Sequence, residues 1–324
     1  MASRSSWRRS DLNEGLGGPA LNIGLTLPNY RANATPEAIV ATAERADRLG
    51  FHSVWVADHI VIPEGNIAGM GETLYEAHTV LSVVAGRTSR VKLGCSVMPT
   101  PYRHPLLLAK MLATLDRLSA GRVIYGGATG YLTDEFQALG IEFRDRAAIT
   151  DEYLQVLKLA WTTDVFEFHG RFIDSPRVSC GPKPLQQPHP PIWLGGDSDG
   201  AFKRIARMAD GWHGLIGGSP GARREEPTID NFAGRVARLR HIAEQTGRDP
   251  NSITLSIKAI CQIGPDDPRP FRGSPGKVID DLRRVEALGV SLVVLSPNLF
   301  PEPTRLEVVD QIAEEILPQV RDAA

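Results

Sequence analysis

The segment LGCSVMPTPYRHPLLLAKMLATLDRLSAGRVIYGGATGYLTDEF, from Leu93 to Phe136, indicates the fold of this chain more clearly than any other stretch. It continues a β-forming run, Val91–Val97, in which large apolar residues alternate with smaller or polar ones. Apolar residues across 106–118 then recur at helical spacing, and Gly121 follows as a stop signal. A second short β run, Arg122–Tyr125, leads into a glycine-rich loop. The segment is therefore predicted to form a strand, a helix and a second strand.

The loops of this unit point to a functional site. Two strands joined by a helix of this length form a parallel pair with a right-handed crossover. Loops that leave the carboxyl ends of parallel strands lie at the same edge of the sheet, and functional groups collect there. Both loops that follow the predicted strands here are rich in polar and turn-forming residues.

The same alternation of strand and helix runs from Leu21 to the end of the chain. The predicted strands are Leu21–Leu27, Ser53–Ala57, Val91–Val97, Arg122–Tyr125, Pro191–Leu194, Gly211–Leu215, Ile253–Ile260 and Ser291–Leu295. The predicted helices are Pro36–Leu49, Leu74–Arg87, Leu106–Leu118, Arg146–Trp161, Asp199–Ala209, Ile229–Thr246, Pro275–Leu288 and Leu306–Gln319. Capping residues followed by proline mark helix starts at Thr35-Pro36 and Ser274-Pro275. This order favours a single (β/α)8 TIM barrel, with a doubly wound α/β sheet as the alternative.

Three irregular segments interrupt the alternation in the second half of the chain: Thr162–Pro190, Ile216–Thr228 and Cys261–Gly273. The first contains the hairpin-like sequence VFEFHGRFI. Long loops that follow barrel strands gather over the carboxyl-terminal mouth, so we expect these insertions there, where such loops act as lids. Surface insertions without a function are the alternative.

Residues 1–20 are predicted to form a disordered tail in front of one barrel domain that spans residues 21–324. Arg8-Arg9 resembles part of a twin-arginine export signal, but Asp11, Asn13 and Glu14 follow it instead of an apolar segment.

The composition argues against several classes of partner. The chain has 36 Lys and Arg against 38 Asp and Glu, so it has no basic excess for nucleic acid or anionic membranes. No apolar run approaches the roughly 18–20 residues that a membrane-spanning helix needs. The three cysteines, Cys95, Cys180 and Cys261, are far apart, which is typical of reduced thiols in a cytoplasmic protein. No HxH, HExxH or DxD cluster predicts a metal site.

Several motifs in the same order give the chain a family resemblance. They are PYRHPLLLAKMLATLDRLSAGRVIYGGATGYLTDEFQALGIEF, VWVADHI (Val54–Ile60), PKPLQQPHPPIWLGG (Pro182–Gly196), ARMADGWHG (Ala206–Gly214) and GSPGKVIDDLRRVEALGV (Gly273–Val290). Together they resemble the luciferase-like monooxygenase superfamily, and within it the oxidoreductases that use the deazaflavin coenzyme F420. The resemblance covers most of residues 20–317. It implies a (β/α)8 barrel, a bound deazaflavin and a homodimer that pairs through helices of the barrel's early half.

Asp58-His59, at the end of the second predicted strand, is the candidate for acid–base chemistry. A carboxylate beside an imidazole at a barrel mouth can position a proton near neutral pH, although a capping Asp and a packed His would look the same in sequence. The resemblance implies that Asp58 lies against the cofactor and that His59 is the catalytic proton donor or acceptor. Some deazaflavin-dependent relatives have glutamate and tryptophan in place of Tyr131 and Pro63, which argues against a sugar-phosphate dehydrogenase mechanism here.

The remaining candidates for cofactor contact lie at three other strand ends. By resemblance, Ser96 and Val97 are joined by a cis peptide bond that backs the central ring of the cofactor. Two loops of small residues follow later strands, and the second precedes a helix whose free N–H groups favour an anion. Their candidate residues are Gly127, Ala128, Thr129, Gly130, Tyr131, Gly195, Gly196, Asp197 and Ser198. Glycines that serve only tight turns are the alternative. Tyr102-Arg103-His104 is a candidate for contacts with anionic groups, with a capped and solvated loop as the alternative. Trp212-His213 could face the barrel mouth, with a place in the core as the alternative.

The function expected from the sequence is hydride transfer between coenzyme F420 and a small organic substrate. One alternative keeps the fold and uses FMN and dioxygen in a monooxygenase reaction. A second is a barrel that binds a flavin or deazaflavin without turnover, and a metal-dependent hydrolase is disfavoured because no ligand set is present. In each of these redox reactions, the cofactor carries the hydride chemistry, while the protein orients the cofactor and supplies a proton.

Overall fold

The computed structural model describes residues 21–31, 34–216, 228–297 and 306–321. Its centre is a closed ring of eight parallel strands in which each strand pairs with the next and the last pairs with the first. The strands are β1 (Asn22–Thr26), β2 (Ser53–Val56), β3 (Lys92–Cys95), β4 (Val123–Ala128), β5 (Ile192–Leu194), β6 (Gly211–Ile216), β7 (Thr254–Ile260) and β8 (Val290–Ser296). The pairs Leu93–Val123 and Gly94–Ile124 close the ring between β3 and β4. The predicted (β/α)8 barrel is confirmed.

Helices surround the ring, and every predicted helix overlaps an observed one. They are α1 (Pro36–Leu49), α2 (Ala77–Arg87), α3 (Pro105–Leu118), α4 (Arg146–Thr162), α5 (Asp199–Met208), α6 (Ile229–Gln245), α7 (Pro275–Glu286) and α8, which comprises Leu306–Gln311, Ile312–Ile316 and Leu317–Arg321. The predicted caps of α1 and α7 are present, because Thr35 accepts from Ala38 N–H and Ser274 accepts from Lys277 N–H. Across the described residues, no helix is both long and apolar enough to traverse a bilayer.

Two of these helices differ from their predicted form for identifiable reasons. Helix α2 begins at Ala77 instead of Leu74, since Tyr75 N–H donates to Asn29 O and the Glu76 carboxylate caps the first turn. Helix α8 is interrupted by a π-helical turn at Ile312–Ile316. Pro318 follows this turn, and a proline within a helix removes one backbone donor and crowds the preceding turn.

The barrel strands bury both faces. An outer core fills the space between strands and helices, whereas Trp55, Ile124, Trp193, Leu292 and Val294 form a separate cluster. These five alternate along their strands with residues of the outer core, so they belong to the interior of the ring.

The predicted insertions lie at both ends of the barrel. VFEFHGRFI does form an antiparallel hairpin, with strands at Phe166–His169 and Asp174–Val178. It follows helix α4 rather than a strand, so it lies along that helix and differs from its expected place over the mouth. Cys261–Gly273 does follow strand β7 and contains the paired segments Gln262–Ile263 and Arg272–Gly273. Of Ile216–Thr228, residues 217–227 lie outside the described part of the chain, as does the predicted tail at 1–20.

The carboxylate of Glu152 attaches the hairpin to helix α4. It accepts hydrogen bonds from the backbone N–H groups of Arg171, Phe172 and Ile173, at 2.9, 2.8 and 2.5 Å. Because Glu152 is largely buried, its removal leaves three donors with little access to water.

We expect Glu152→Ala to lower the free energy of unfolding by about 2–4 kcal/mol, since hydrogen bonds to a charged group are among the stronger ones. Urea denaturation monitored by circular dichroism would measure the change. Glu167→Ala, at an exposed position of the same hairpin, is the control and should change stability by less than about 0.5 kcal/mol. Equal effects of the two substitutions would contradict the role assigned to Glu152.

Candidate active site

A cleft of about 730 Å³ opens at the carboxyl ends of the barrel strands. Residues on or directly after β1 to β7 line it. Among them are the predicted site residues Asp58, His59, Ser96, Val97, Ala128, Thr129, Gly130, Tyr131, Gly195, Gly196, Asp197 and Ser198. Gly127 is the predicted residue that does not line the cleft; it lies within β4, where its carbonyl accepts from Gly195 N–H.

The peptide between Ser96 and Val97 is cis, which confirms that prediction. It follows β3 and precedes Met98-Pro99, which pairs with Gly127-Ala128 of β4. The Ser96 N–H donates to Val56 O at 2.9 Å, and the Ser96 hydroxyl lies 2.8 Å from His213 Nε2. The bulge is therefore fixed on both sides and presents Val97 to the cleft.

His59 is held by a carboxylate that is distant in sequence. Its Nδ1 lies 2.7 Å from Oε2 of Glu135, and that oxygen also accepts from the Tyr102 hydroxyl at 2.8 Å. The other oxygen accepts from the N–H groups of Ile60 and Val61. Burial alone would raise the pKa of Glu135, but the hydrogen bonds from His59, Tyr102 and Ile60 hold it below its ordinary value. An ionised Glu135 thus orients the His59 ring.

Asp58 belongs to a different cluster, so Asp58 and His59 do not form the acid–base pair that their adjacency suggests. Its two oxygens accept from the guanidinium of Arg103 at 2.7 and 2.8 Å, and Arg103 also donates to Glu76. The side chain of Arg103 is only 8% exposed. Arg103 is therefore used within the protein, and it is not among the residues that line the cleft.

The two other members of that loop also have internal roles. The Tyr102 hydroxyl donates to Glu135, and burial together with that carboxylate raises the pKa of Tyr102, so the phenol keeps its proton. His104 caps helix α3 by accepting from Leu106 N–H.

The loop after β5 combines a turn with a helix start. Ser198 caps α5 by accepting from Ala201 N–H. Gly196 has φ of +104°, and a Cβ there would lie 2.9 Å from the Cβ of Ala201, so glycine is required by the backbone itself. Gly195 differs, because its Cβ would meet only Val97 and Ala128, at 3.4 Å or more. Gly195 therefore leaves open a part of the cleft that a side chain would fill.

Two further residues inside the cleft come from strands β6 and β7. His213, one of the candidates from the sequence, stacks on Trp55 with ring centroids 4.9 Å apart, and its Nδ1 lies 2.8 Å from the Ser256 hydroxyl. Burial and the nearby Lys258 lower the pKa of His213 to about 3, so its ring is neutral. Lys258 lines the same cleft and is not among the residues predicted from the sequence. Its position two residues after Ser256 places it on the same strand face, which is the signal that could have identified it.

Glu135 is also absent from the residues predicted from the sequence. It lies in the short helix Thr133–Ala138 after the first glycine loop, and its motif carries no acid–base spacing. The fold alone brings it to His59. Within the described residues, no group of three or more His, Cys, Asp or Glu side chains is arranged to hold a metal ion.

The residues of the cleft fit a flat cofactor with an anionic end. Gly195 leaves space between Val97 and Ala128, and the first turn of α5 presents backbone donors beside Ser198. Asp197 in the same loop forms an ion pair with Arg235 at 3.5 Å, so its negative charge is compensated.

Comparison with known proteins agrees with this architecture. A family model described as luciferase-like monooxygenase matches residues 22–269. An uncharacterised protein of Mycobacterium tuberculosis (strain ATCC 25618 / H37Rv) is 29% identical over 302 residues, which cover 87% of this chain and 95% of that protein. An FMNH(2)-dependent dimethylsulfone monooxygenase of Pseudomonas putida is 35% identical over 250 residues, which cover 73% of this chain and 65% of that protein.

Solved structures include one of an F420-dependent secondary alcohol dehydrogenase in complex with an F420-acetone adduct. It matches with a TM-score of 0.78 at 18% identity, and the match covers 94% of this chain and all of that one (100%). At this identity the likeness concerns the fold. The family model covers most of the chain, and the chain therefore belongs to the luciferase-like monooxygenase family.

Proposed function

We propose that this protein is a coenzyme F420-dependent oxidoreductase that transfers a hydride to or from a small organic substrate. The observation that carries the proposal is the fixed orientation of His59 at the wall of the cleft. Glu135 forms a hydrogen bond with Nδ1 of His59, and Nε2 of the same ring has no hydrogen-bond partner among the described residues. The resemblance of the GGATGYLTDEF loop to deazaflavin enzymes supports the choice of cofactor.

The chemistry assigned to His59 follows from its partner. A carboxylate acceptor at Nδ1 keeps a proton on that nitrogen, which leaves Nε2 as a base in the neutral ring and as an acid in the charged one. When bound, the deazaflavin supplies or takes the hydride. Carbonyl reduction needs a proton at the substrate oxygen and alcohol oxidation releases one, so Nε2 of His59 would serve in either direction.

The placement of the cofactor in this proposal uses the remaining parts of the cleft. Its ring would rest on the Ser96–Val97 bulge and against Gly195, and its anionic tail would reach the start of helix α5. Backbone N–H groups and the helix dipole favour negative charge at that place. The helix has ten residues, so its dipole is well developed.

A second candidate function is FMN-dependent monooxygenation. The observation in its favour is the activity of the Pseudomonas putida relative, an FMNH(2)-dependent dimethylsulfone monooxygenase that is 35% identical to this chain over 250 residues. The same bulge, glycine loop and histidine would serve that reaction, with reduced flavin and dioxygen as the reactants.

Titration separates the two candidates. We expect coenzyme F420 to bind with a micromolar or tighter Kd and FMN to bind at least about tenfold more weakly, a difference of roughly 1.4 kcal/mol. Changes in the fluorescence of the cofactor and of the protein would measure both dissociation constants. Equal or tighter binding of FMN, with oxygen consumption when reduced flavin is supplied, would replace the deazaflavin proposal by the monooxygenase one.

Gly195→Val should weaken cofactor binding by about tenfold or more without unfolding the barrel, because the new side chain fills space between Val97 and Ala128. Gly195 is the better probe than Gly196, whose backbone conformation would make any substitution strained. The control is Gly234→Val, at an exposed helix position where a Cβ meets nothing within 4 Å. Unchanged cofactor affinity in a folded Gly195→Val protein would show that the cofactor does not contact this loop.

His59→Ala should cut turnover by about 10²–10⁴-fold, since proton transfer by a positioned side chain contributes that much. Glu135→Gln should cause a smaller loss in the same direction, and neither should change the cofactor Kd greatly. Turnover can be measured with whichever small aldehyde, ketone or alcohol reacts fastest with the cofactor in a screen. His241→Ala, at an exposed position on α6, is the control. Weaker cofactor binding with unchanged turnover would assign His59 a packing role.

A further inference from the structure

Lys258 is a cation inside the cleft that has no side-chain partner among the described residues. It lies on β7 and lines the cleft beside Trp212, His213 and Leu215 of the neighbouring strand. Across residues 21–31, 34–216, 228–297 and 306–321, no acceptor or carboxylate lies within hydrogen-bond or ion-pair distance of its ammonium group.

The groups of the described residues that interact electrostatically with Lys258 supply no negative charge. Burial raises the pKa of the Cys95 thiol, so it stays protonated, and His213 is neutral because its pKa lies near 3. Arg31, from the loop after β1, adds positive charge. Asp58 lines the same cleft, but both oxygens of its carboxylate accept hydrogen bonds from the guanidinium of Arg103. The local potential is therefore positive and uncompensated by the described residues.

Keeping the ammonium group of Lys258 charged in this setting is unfavourable in free energy. Burial, assisted by Arg31, lowers the pKa of Lys258 to about 8, so the charged form still predominates at pH 7. A largely buried charge without a partner is unfavourable unless a ligand supplies the counter-charge. An anion in the cleft would supply it.

We propose that Lys258 binds a carboxylate or sulfonate group of an anionic organic substrate. This inference rests on the proposed function, because it takes the cleft to be the active site. A lysine ammonium is a compact charge with three donors, which suits a small anionic group. Trp212 and Leu215 provide apolar surface beside it for the organic part of the molecule.

The position of Lys258 also orients the substrate. In the ring, β8 and β1 separate β7 from β2, after which His59 lies. A substrate anchored at Lys258 would reach across the cleft towards His59. The anionic group and the carbon that exchanges the hydride therefore belong to different parts of the substrate.

Binding of simple probes without cofactor tests this site. Ligand-observed NMR would give the Kd of benzoate and benzenesulfonate, with benzamide as the uncharged match. The wild-type protein should bind the two anions at least about tenfold more tightly than benzamide. Lys258→Met, which keeps the length of the side chain, should abolish that preference, and Lys203→Met at an exposed position of α5 should leave it unchanged.

The midpoint temperature of thermal unfolding shows whether a loss of binding is caused by unfolding of the variant. Lys258→Met should melt at the same temperature as the wild type or higher, because the substitution removes an unpaired buried charge. A wild-type protein that binds benzamide as well as benzoate would overturn the proposal, as would a folded Lys258→Met protein that still prefers the anions.

The cofactor is the other source of an anion at this place, since its ring can carry negative charge. Titration of Lys258→Met with coenzyme F420 and FMN distinguishes the two. Unchanged cofactor affinity together with lost anion preference supports the substrate site, whereas weakened cofactor affinity with retained anion preference overturns it. Because the probe titrations need neither cofactor nor turnover, failure of this site is distinguishable from failure of the proposed function.

Discussion

The indole of Trp55 occupies the interior of the barrel, and the site is built on top of it. The ring is fully buried, stacks on Trp193 at 5.8 Å and on His213 at 4.9 Å, and donates to the Ser53 hydroxyl. A Cβ at Gly94 would lie 2.5 Å from the indole, so the neighbouring strand must carry glycine there. Since His213 in turn contacts Ser96, the packing of one tryptophan fixes the inner wall of the cleft.

Above this layer, buried carboxylates fix the loops of the mouth. Glu135 connects the segment after β2 with the segment after β3, because His59, Ile60 and Tyr102 all donate to it. Asp58 and Arg103 connect the same two segments a second time. Breaking either cluster would leave a charge buried without a partner, which is strongly unfavourable. The mouth is therefore preorganised, and hydrogen bonds within the protein hold His59 in its orientation.

Secondary structure was predictable from this sequence because the signals are local. Apolar periodicity located all eight strands and helices, and capping residues such as Thr35 and Ser274 marked helix starts. Family motifs located most of the cleft and the cis peptide. The partners of the polar side chains were not predictable, because Glu135 is 76 positions from His59 and Arg103 is 45 from Asp58. Lys258 was missed because the residues of its strand were interpreted only as a structural element.

The distribution of charge in the cleft fits the two anion sites proposed above, one for the cofactor and one for the substrate. The acids each have an internal cation or donor: Arg103 for Asp58, His59 for Glu135 and Arg235 for Asp197. Among the described residues that line the cleft, Lys258 and Arg146 have no carboxylate partner, and the start of helix α5 is a further positive region. The start of helix α5 is built from backbone donors, whereas Lys258 is a single point charge inside the barrel. A site with this arrangement suits a cofactor and a substrate that both carry negative charge, held apart so that neither competes for the other's partner.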